Sequence, residues 1–267
     1  MVQESSRTAQ RASSILEVLG ADRMNPYLAE VEGHPVRALE LYEWNAELSA
    51  SFWPLISLTE VSLRNKFDLH LGHWSHENGG DREWLLKIDK APQDLKDVFR
   101  GRAEHFCRRA HVAKKVRDGG TGLFNAPHRR QNVPLTNGDV LSQITLGEWL
   151  NFIPASPRVL DDGSQKPFPD ATTASRRERL WKDVVSQVFP ECERPYEISA
   201  TLHRVKLFRN RIARHEPIFM LEYRRYRNEF LRLLRKVSPL VHEIYTPVWC
   251  TDSGGALIRC EKFHSCC

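Results

Sequence analysis

Phe52-Trp53-Pro54-Leu55-Ile56-Ser57-Leu58-Thr59-Glu60-Val61-Ser62-Leu63-Arg64-Asn65-Lys66-Phe67-Asp68-Leu69-His70-Leu71 decides the fold class. Phe52, Leu55, Ile56, Leu63, Phe67 and Leu71 recur at helical spacing, so they line one stripe of an amphipathic helix. Pro54 fits the first turn of such a helix, where a missing amide hydrogen costs nothing. Glu60 falls on the same stripe between Ile56 and Leu63, where an unpaired carboxylate is expensive. It requires a cation. Arg64, one turn on, is the local candidate, and Arg209 is the distant one.

A second helix is predicted from Ile198 to His215, with Leu202, Val205 and Ile212 on its buried stripe and Arg209 on that stripe as well. An inward-facing guanidinium is either paired structurally or aimed at an anion in a cleft. The residues around it are Phe208-Arg209-Asn210-Arg211-Ile212-Ala213-Arg214-His215-Glu216-Pro217. An Arg that holds a phosphate and a His that moves a proton are together sufficient for RNA cleavage without a metal. In an unbroken helix Arg209 and His215 would sit about 120° apart at 100° per residue. Pro217 disfavours the helical conformation at Glu216 and removes a backbone donor. The helix is therefore expected to loosen or end near His215, which would swing the imidazole back toward Arg209.

The rest of the chain extends the helical pattern. Ile144–Phe152 reads as a short buried turn of helix anchored by Trp149, Ser175–Val188 as a helix, and Ile218–Tyr245 as one long basic helix ending before Pro247. Residues 118–139 (Gly119, Gly120, Gly122, Pro127, Pro134, Gly138) and 153–170 (Pro154, Pro157, Gly163, Pro167, Pro169) read as long loops. Neither ends in the Gly-Lys-Ser/Thr that cradles nucleotide phosphates. The expected class is all-α: a helical bundle with additional helices and long loops, residues 1–267 forming a single domain. Its core would run from about 25 to 245, with 246–267 a flexible Cys-containing tail.

With 267 residues, 41% of them hydrophobic, the chain can bury a sizeable core as one large domain or two small ones. Its longest apolar runs fall far short of a membrane span, and the first twenty residues carry Glu4 and Glu17 where a signal peptide would be basic and then apolar. A cytoplasmic protein with no membrane partner is expected. The net charge of +5 is unevenly spread: Thr201–Lys236 holds eleven Lys or Arg against three Glu, and Arg100–Arg130 nine against two. Such segments suit a phosphate backbone, with Arg224, Arg225 and Arg227 beside Tyr223 and Tyr226 for stacking; a solvated helix face is the other reading.

Six cysteines in a chain of this size and type do not form a disulfide framework. Cys250, Cys260, Cys266 and Cys267 with His264 hold soft-ligand residue types, but not the paired C-x2-C knuckles of a strong zinc signal. His70, His73 and His76 could face one way on a continuing helix; Gly72 and Gly79-Gly80 instead suggest that the helix is ending there. No metal and no cofactor is expected.

The Arg209-Asn210 pair followed by His215 resembles the hallmark of the HEPN superfamily: Arg, a polar residue, a few intervening residues and then His. Within it the chain resembles the Abi-like (abortive infection) proteins. Tyr42-Glu43-Trp44-Asn45, Leu48-Ser49, Phe52-Trp53 and Glu60-Val61-Ser62-Leu63-Arg64-Asn65 are similar to that family's N-terminal half. Thr145-Leu146-Gly147-Glu148-Trp149-Leu150, Leu180-Trp181 and Phe189-Pro190 are similar to its middle. The likeness runs from about residue 25 to 245. Arg214 stands where the family often has a further His, which leaves His215 as the candidate. The resemblance implies a HEPN-like bundle acting as a metal-independent endoribonuclease of an abortive-infection or toxin-type defence system. His215 would be the general base or acid, Arg209 the phosphate ligand and Asn210 the orienting residue. Glu60, Arg64 and Arg214 would support them, and Arg211, Arg224, Arg225 and Arg227 would bind RNA. It also implies a homodimer and allows a cognate inhibitor protein. The alternative is a non-catalytic HEPN-like RNA-binding or regulatory partner in a defence or toxin–antitoxin system.

Overall fold

The structure, a computed structural model, describes residues 2–99, 101–119, 128–155, 170–192, 194–246, 249–251 and 257–259. The protein is all-α, with two three-residue strands, β1 (Trp249–Thr251) and β2 (Leu257–Arg259), paired antiparallel near its end. Gly120, Gly122, Pro127, Pro157, Gly163, Pro167, Pro169, Pro247, Cys260, His264, Cys266 and Cys267 lie outside the described residues, as do parts of both expected loops. The chain divides into two compact units, each built from separated stretches. The first comprises Met1–Leu58, Arg204–Arg232 and Leu240–Cys267, and the second Thr59–His203 and Leu233–Pro239.

In the first unit α1 (Val2–Leu19) turns at Gly20 into α2 (Ala21–Glu30), and the part of α3 (Pro35–Glu77) up to Leu58 follows. The His34 ring accepts the Arg37 amide at the start of α3. Leu16, Met24, Tyr27, Val31 and Ala38 form one buried cluster, against which Tyr42 and Phe219 pack. A second aromatic group joins α3 to α8 (Pro195–Ala213) and α9 (Tyr223–Val237). Phe208 lies 4.8 Å from Phe52 and stacks on Tyr226 at 4.3 Å, and Phe230 is buried beside them. Burying rings of this size stabilises by about 1.5–3 kcal/mol each. The packing also fixes the rotation of α8, and with it the direction of Arg209.

In the second unit Phe67 stacks on Trp149 at 4.7 Å, with Phe152 and Phe189 around it. Around that core come α4 (Gln93–Phe99), α5 (Arg102–Asp118), α6 (Asn137–Leu141) and α7 (Ala171–Asp183). Leu146–Phe152 is a 3-10 turn with Trp149 buried, as its sequence predicts. Asp68 accepts hydrogen bonds from Trp84 Nε1 (3.0 Å) and Asn137 Nδ2 (2.7 Å), while Asn137 Oδ1 accepts the Leu85 and Leu86 amides. Burial holds the Asp68 carboxyl above its usual range, although these donors and Arg64 pull the other way.

Four boundaries differ from the sequence expectation. Pro54 is in the middle of α3, on an exposed position, where its missing donor leaves only a carbonyl that water can reach. Gly72 does not end that helix either. A Cβ there would meet the Arg82 carbonyl oxygen at 2.9 Å, so the glycine admits a close backbone approach while α3 runs on past His76. The predicted helix over 218–245 is instead α9 followed by α10 (Pro239–Tyr245), because Pro239 cannot donate to continue α9 and opens a new helix at its first position. Likewise α7 starts earlier than expected, at Ala171, where Asp170 caps it by accepting the Thr173 amide at 2.8 Å.

Candidate active site

Helix α8 carries Arg209 and Asn210, both half-buried, one residue beyond the buried Phe208. It ends at Ala213, where the spacing from Pro217 places the break. The ending is a Schellman turn. Glu216 N donates to Arg211 O at 2.9 Å and His215 N to Ile212 O at 3.0 Å, with His215 left-handed at φ 56°. The same chain closes α3 by the same pattern: Gly80 N donates to Ser75 O at 2.8 Å and Gly79 N to His76 O at 3.2 Å, with φ 81° at Gly79. Glycine fills that position without a Cβ penalty, whereas at 215 the chain holds an exposed histidine in a conformation that costs about 1–2 kcal/mol.

Two contacts pin the strained turn. Arg23 Nη1 on α2 donates to the His215 carbonyl at 2.7 Å. Asn45 on α3, 4% exposed, accepts the Ile218 and Phe219 amides at 2.8 and 3.1 Å. Sequence reading overlooked both residues in this role. Asn45 had a signal: it interrupts the buried stripe of Ala38, Leu48 and Phe52, where a polar side chain must find partners. Arg23 had none, because its partner is a main-chain oxygen 192 residues away.

The surrounding charges are mostly exposed. Arg211 Nε and Arg214 Nη1 approach the Glu216 carboxylate at 3.8 and 3.6 Å, contacts weak enough for a phosphate to displace. Arg224 and Arg225 project to solvent from the first turn of α9, and Arg227 donates to Asn228 Oδ1 at 3.1 Å. The expected stacking residues have internal partners: Tyr226 stacks on Phe208, and Tyr223 meets Trp44 edge-on at 6.3 Å. Thus Arg209, Asn210, Arg211, Arg214, His215, Arg224, Arg225 and Arg227 all belong to the first unit, while Glu60 and Arg64, both half-buried on α3, belong to the second.

The three-histidine run also has a structure. His70 is half-buried, and burial first, then the Lys66 charge, lowers its pKa. His73 and His76 are exposed. Among the described residues no group of three or more His, Cys, Asp or Glu side chains is arranged to hold a metal ion, and no helix is long and apolar enough to cross a membrane. What the fold and this corner define is an all-α protein with an Arg-Asn-x4-His sequence at a pinned helix end. No protein-family model matches the chain, and no curated protein or solved structure does either.

Proposed function

We propose that the protein is a metal-independent endoribonuclease of the Abi-like, HEPN type, acting in an abortive-infection or toxin-type defence system. The observation that carries this reading is His215: an exposed imidazole at a left-handed position where glycine is the default, five residues after the Arg209-Asn210 pair and pinned from α2 and α3. Strain held in place by surrounding contacts is a mark of functional positions. In this scheme the imidazole takes the proton of an RNA 2′-hydroxyl, whose oxygen attacks the adjacent phosphorus. The 5′-oxygen leaves with a proton returned by the imidazolium so formed, giving a 2′,3′-cyclic phosphate and a 5′-hydroxyl end. Arg209 binds the scissile phosphate and offsets the charge that grows on its oxygens, and Asn210 orients the site. Arg214 supports them, and Arg211, Arg224, Arg225 and Arg227 hold the flanking backbone. Two copies would pair to complete a shared cleft, and a cognate inhibitor protein would restrain it.

The test is cleavage of an end-labelled RNA pool in EDTA by wild type, Arg209→Ala and His215→Ala. Cyclic-phosphate products from wild type, lost in both variants, are expected. RNA bound but left intact by folded wild type would reject the enzyme in favour of a non-catalytic binding or regulatory protein, for which the exposed Arg224 and Arg225 suffice.

A further inference from the structure

In the second unit a cavity of about 340 Å3 is lined by Arg102, Arg176 and Arg177 together with Asp97, Asn151 and Asp170. The residue that needs explaining is Arg176, which is 5% exposed. A guanidinium has five donors, and burying it is costly unless they are met and its charge is balanced. Here Nη2 donates to Thr173 Oγ1 at 3.1 Å, and the Asp97 carboxylate stands 3.9 Å from Nη1, outside hydrogen-bond reach. Asp97 is itself 47% exposed and accepts from Gln93 at 2.8 Å on its other oxygen.

The other two arginines are held in place beside it. Arg102 spends Nε and Nη2 on the Phe99 and Val98 carbonyls and Nη1 on Glu148 at 3.0 Å. Arg177 Nη2 donates to Asn151 Oδ1 at 3.2 Å. Asp170 accepts from the Thr173 amide and hydroxyl. Three oriented guanidinium forks on one cavity fit the tetrahedral oxygens of a phosphate. The volume lies at the lower end of the roughly 300–1,000 Å3 of small-molecule sites, more than a bare phosphate fills.

We propose that this cavity binds a phosphate monoester the size of a mononucleotide. Its phosphate meets Arg176 together with Arg102 and Arg177, and its hydroxyl or amino donors face Asp97 and Asn151. None of the residues assigned to RNA cleavage takes part, so the site stands or falls separately from that reading.

The experiment is calorimetric titration of the full-length protein with adenosine, inorganic phosphate and the four nucleoside 5′-monophosphates. At least one monophosphate is expected to bind with a Kd of roughly 10–500 µM, with phosphate weaker and adenosine silent. Arg177→Gln should weaken the monophosphate about tenfold or more, through loss of a charge-assisted contact. Because Arg176→Gln removes a buried charge and risks the fold, Arg177→Gln carries the test, with circular dichroism confirming its helix content. Arg209→Ala should bind as wild type does. The proposal is overturned by the absence of monophosphate binding up to about 5 mM. It is equally overturned by adenosine binding as tightly as AMP, by unchanged affinity in Arg177→Gln, or by loss of binding in Arg209→Ala.

Discussion

His215 separates stability from function at a single residue. At its left-handed position glycine is the better residue for the backbone, since the Cβ clash with the carbonyl disappears. We therefore expect His215→Gly to raise the urea-unfolding free energy by about 0.5–1 kcal/mol, part of the relief being offset by the greater freedom of glycine in the unfolded chain. The same variant should lose RNA cleavage. A fall in stability would mean that the imidazole itself holds the turn together and that the left-handed conformation at 215 stores no strain. The chemical identities at this corner were legible in the sequence: an Arg-Asn pair, a His, and a proline that ends the helix. The sign of φ at 215 was not, because Pro217 predicts where a helix stops and not which closing turn it takes. The Arg23 contact is tertiary, so nothing local announced it.

At the scale of elements, the α8–α9 pair is held by the Phe208–Tyr226 stack and by a bidentate ion pair. Arg204 Nε and Nη2 donate to Glu229 Oε1 and Oε2 at 3.1 and 3.0 Å, and Glu229 is 4% exposed. Removing one member strands a charge that is largely out of water. Arg204→Met should therefore cost about 2–3 kcal/mol, at or just below the lower end of the roughly 3–5 kcal/mol for buried pairs because the Arg204 side chain is 29% exposed. Arg204→Met with Glu229→Leu should recover most of that loss. Chemical denaturation of both variants checks this, and a double variant no more stable than the single one would show that the pair itself is strongly net stabilising. Helix identity was readable here from apolar periodicity: Leu202, Val205 and Ile212 are all buried as predicted. Boundaries were less readable. Pro54 is tolerated inside α3 because that position faces solvent, and Gly72 serves packing and not helix termination. Propensity alone cannot distinguish those cases.

For the whole molecule the informative variable is pH, because a carboxyl and a phenol in different units are shifted in opposite directions. In the second unit Asp139 feels burial pushing its pKa up, but hydrogen bonds from Arg130 and Thr136 outweigh it and hold the carboxyl at about 2. A depressed carboxylate contributes stability above its ordinary value near 3.8, and that contribution is lost as pH falls toward 2. Asp68 works oppositely in the same unit: its raised pKa favours the neutral form, so it offsets part of the acid loss. In the first unit Tyr27 is wholly buried, and burial first, then Tyr42, pushes its phenol up to about 12 against the opposing Arg23 charge. A raised phenol contributes stability in full below 10 and loses it between 10 and 12. Neither the division into units nor these environments could be read from the chain, since each unit interleaves distant stretches and each shift depends on burial. Urea midpoints across pH for wild type, Asp139→Asn and Tyr27→Phe separate the two limbs. Asp139→Asn should cost roughly 1–2 kcal/mol at pH 7 and flatten the acid limb, the linkage being discounted for partial exposure. Tyr27→Phe should cost little at pH 7, because the hydroxyl has no hydrogen-bond partner among the described residues, and it should flatten the alkaline limb. An alkaline limb as steep in Tyr27→Phe as in wild type would remove Tyr27 as its cause and assign the loss to another titrating group.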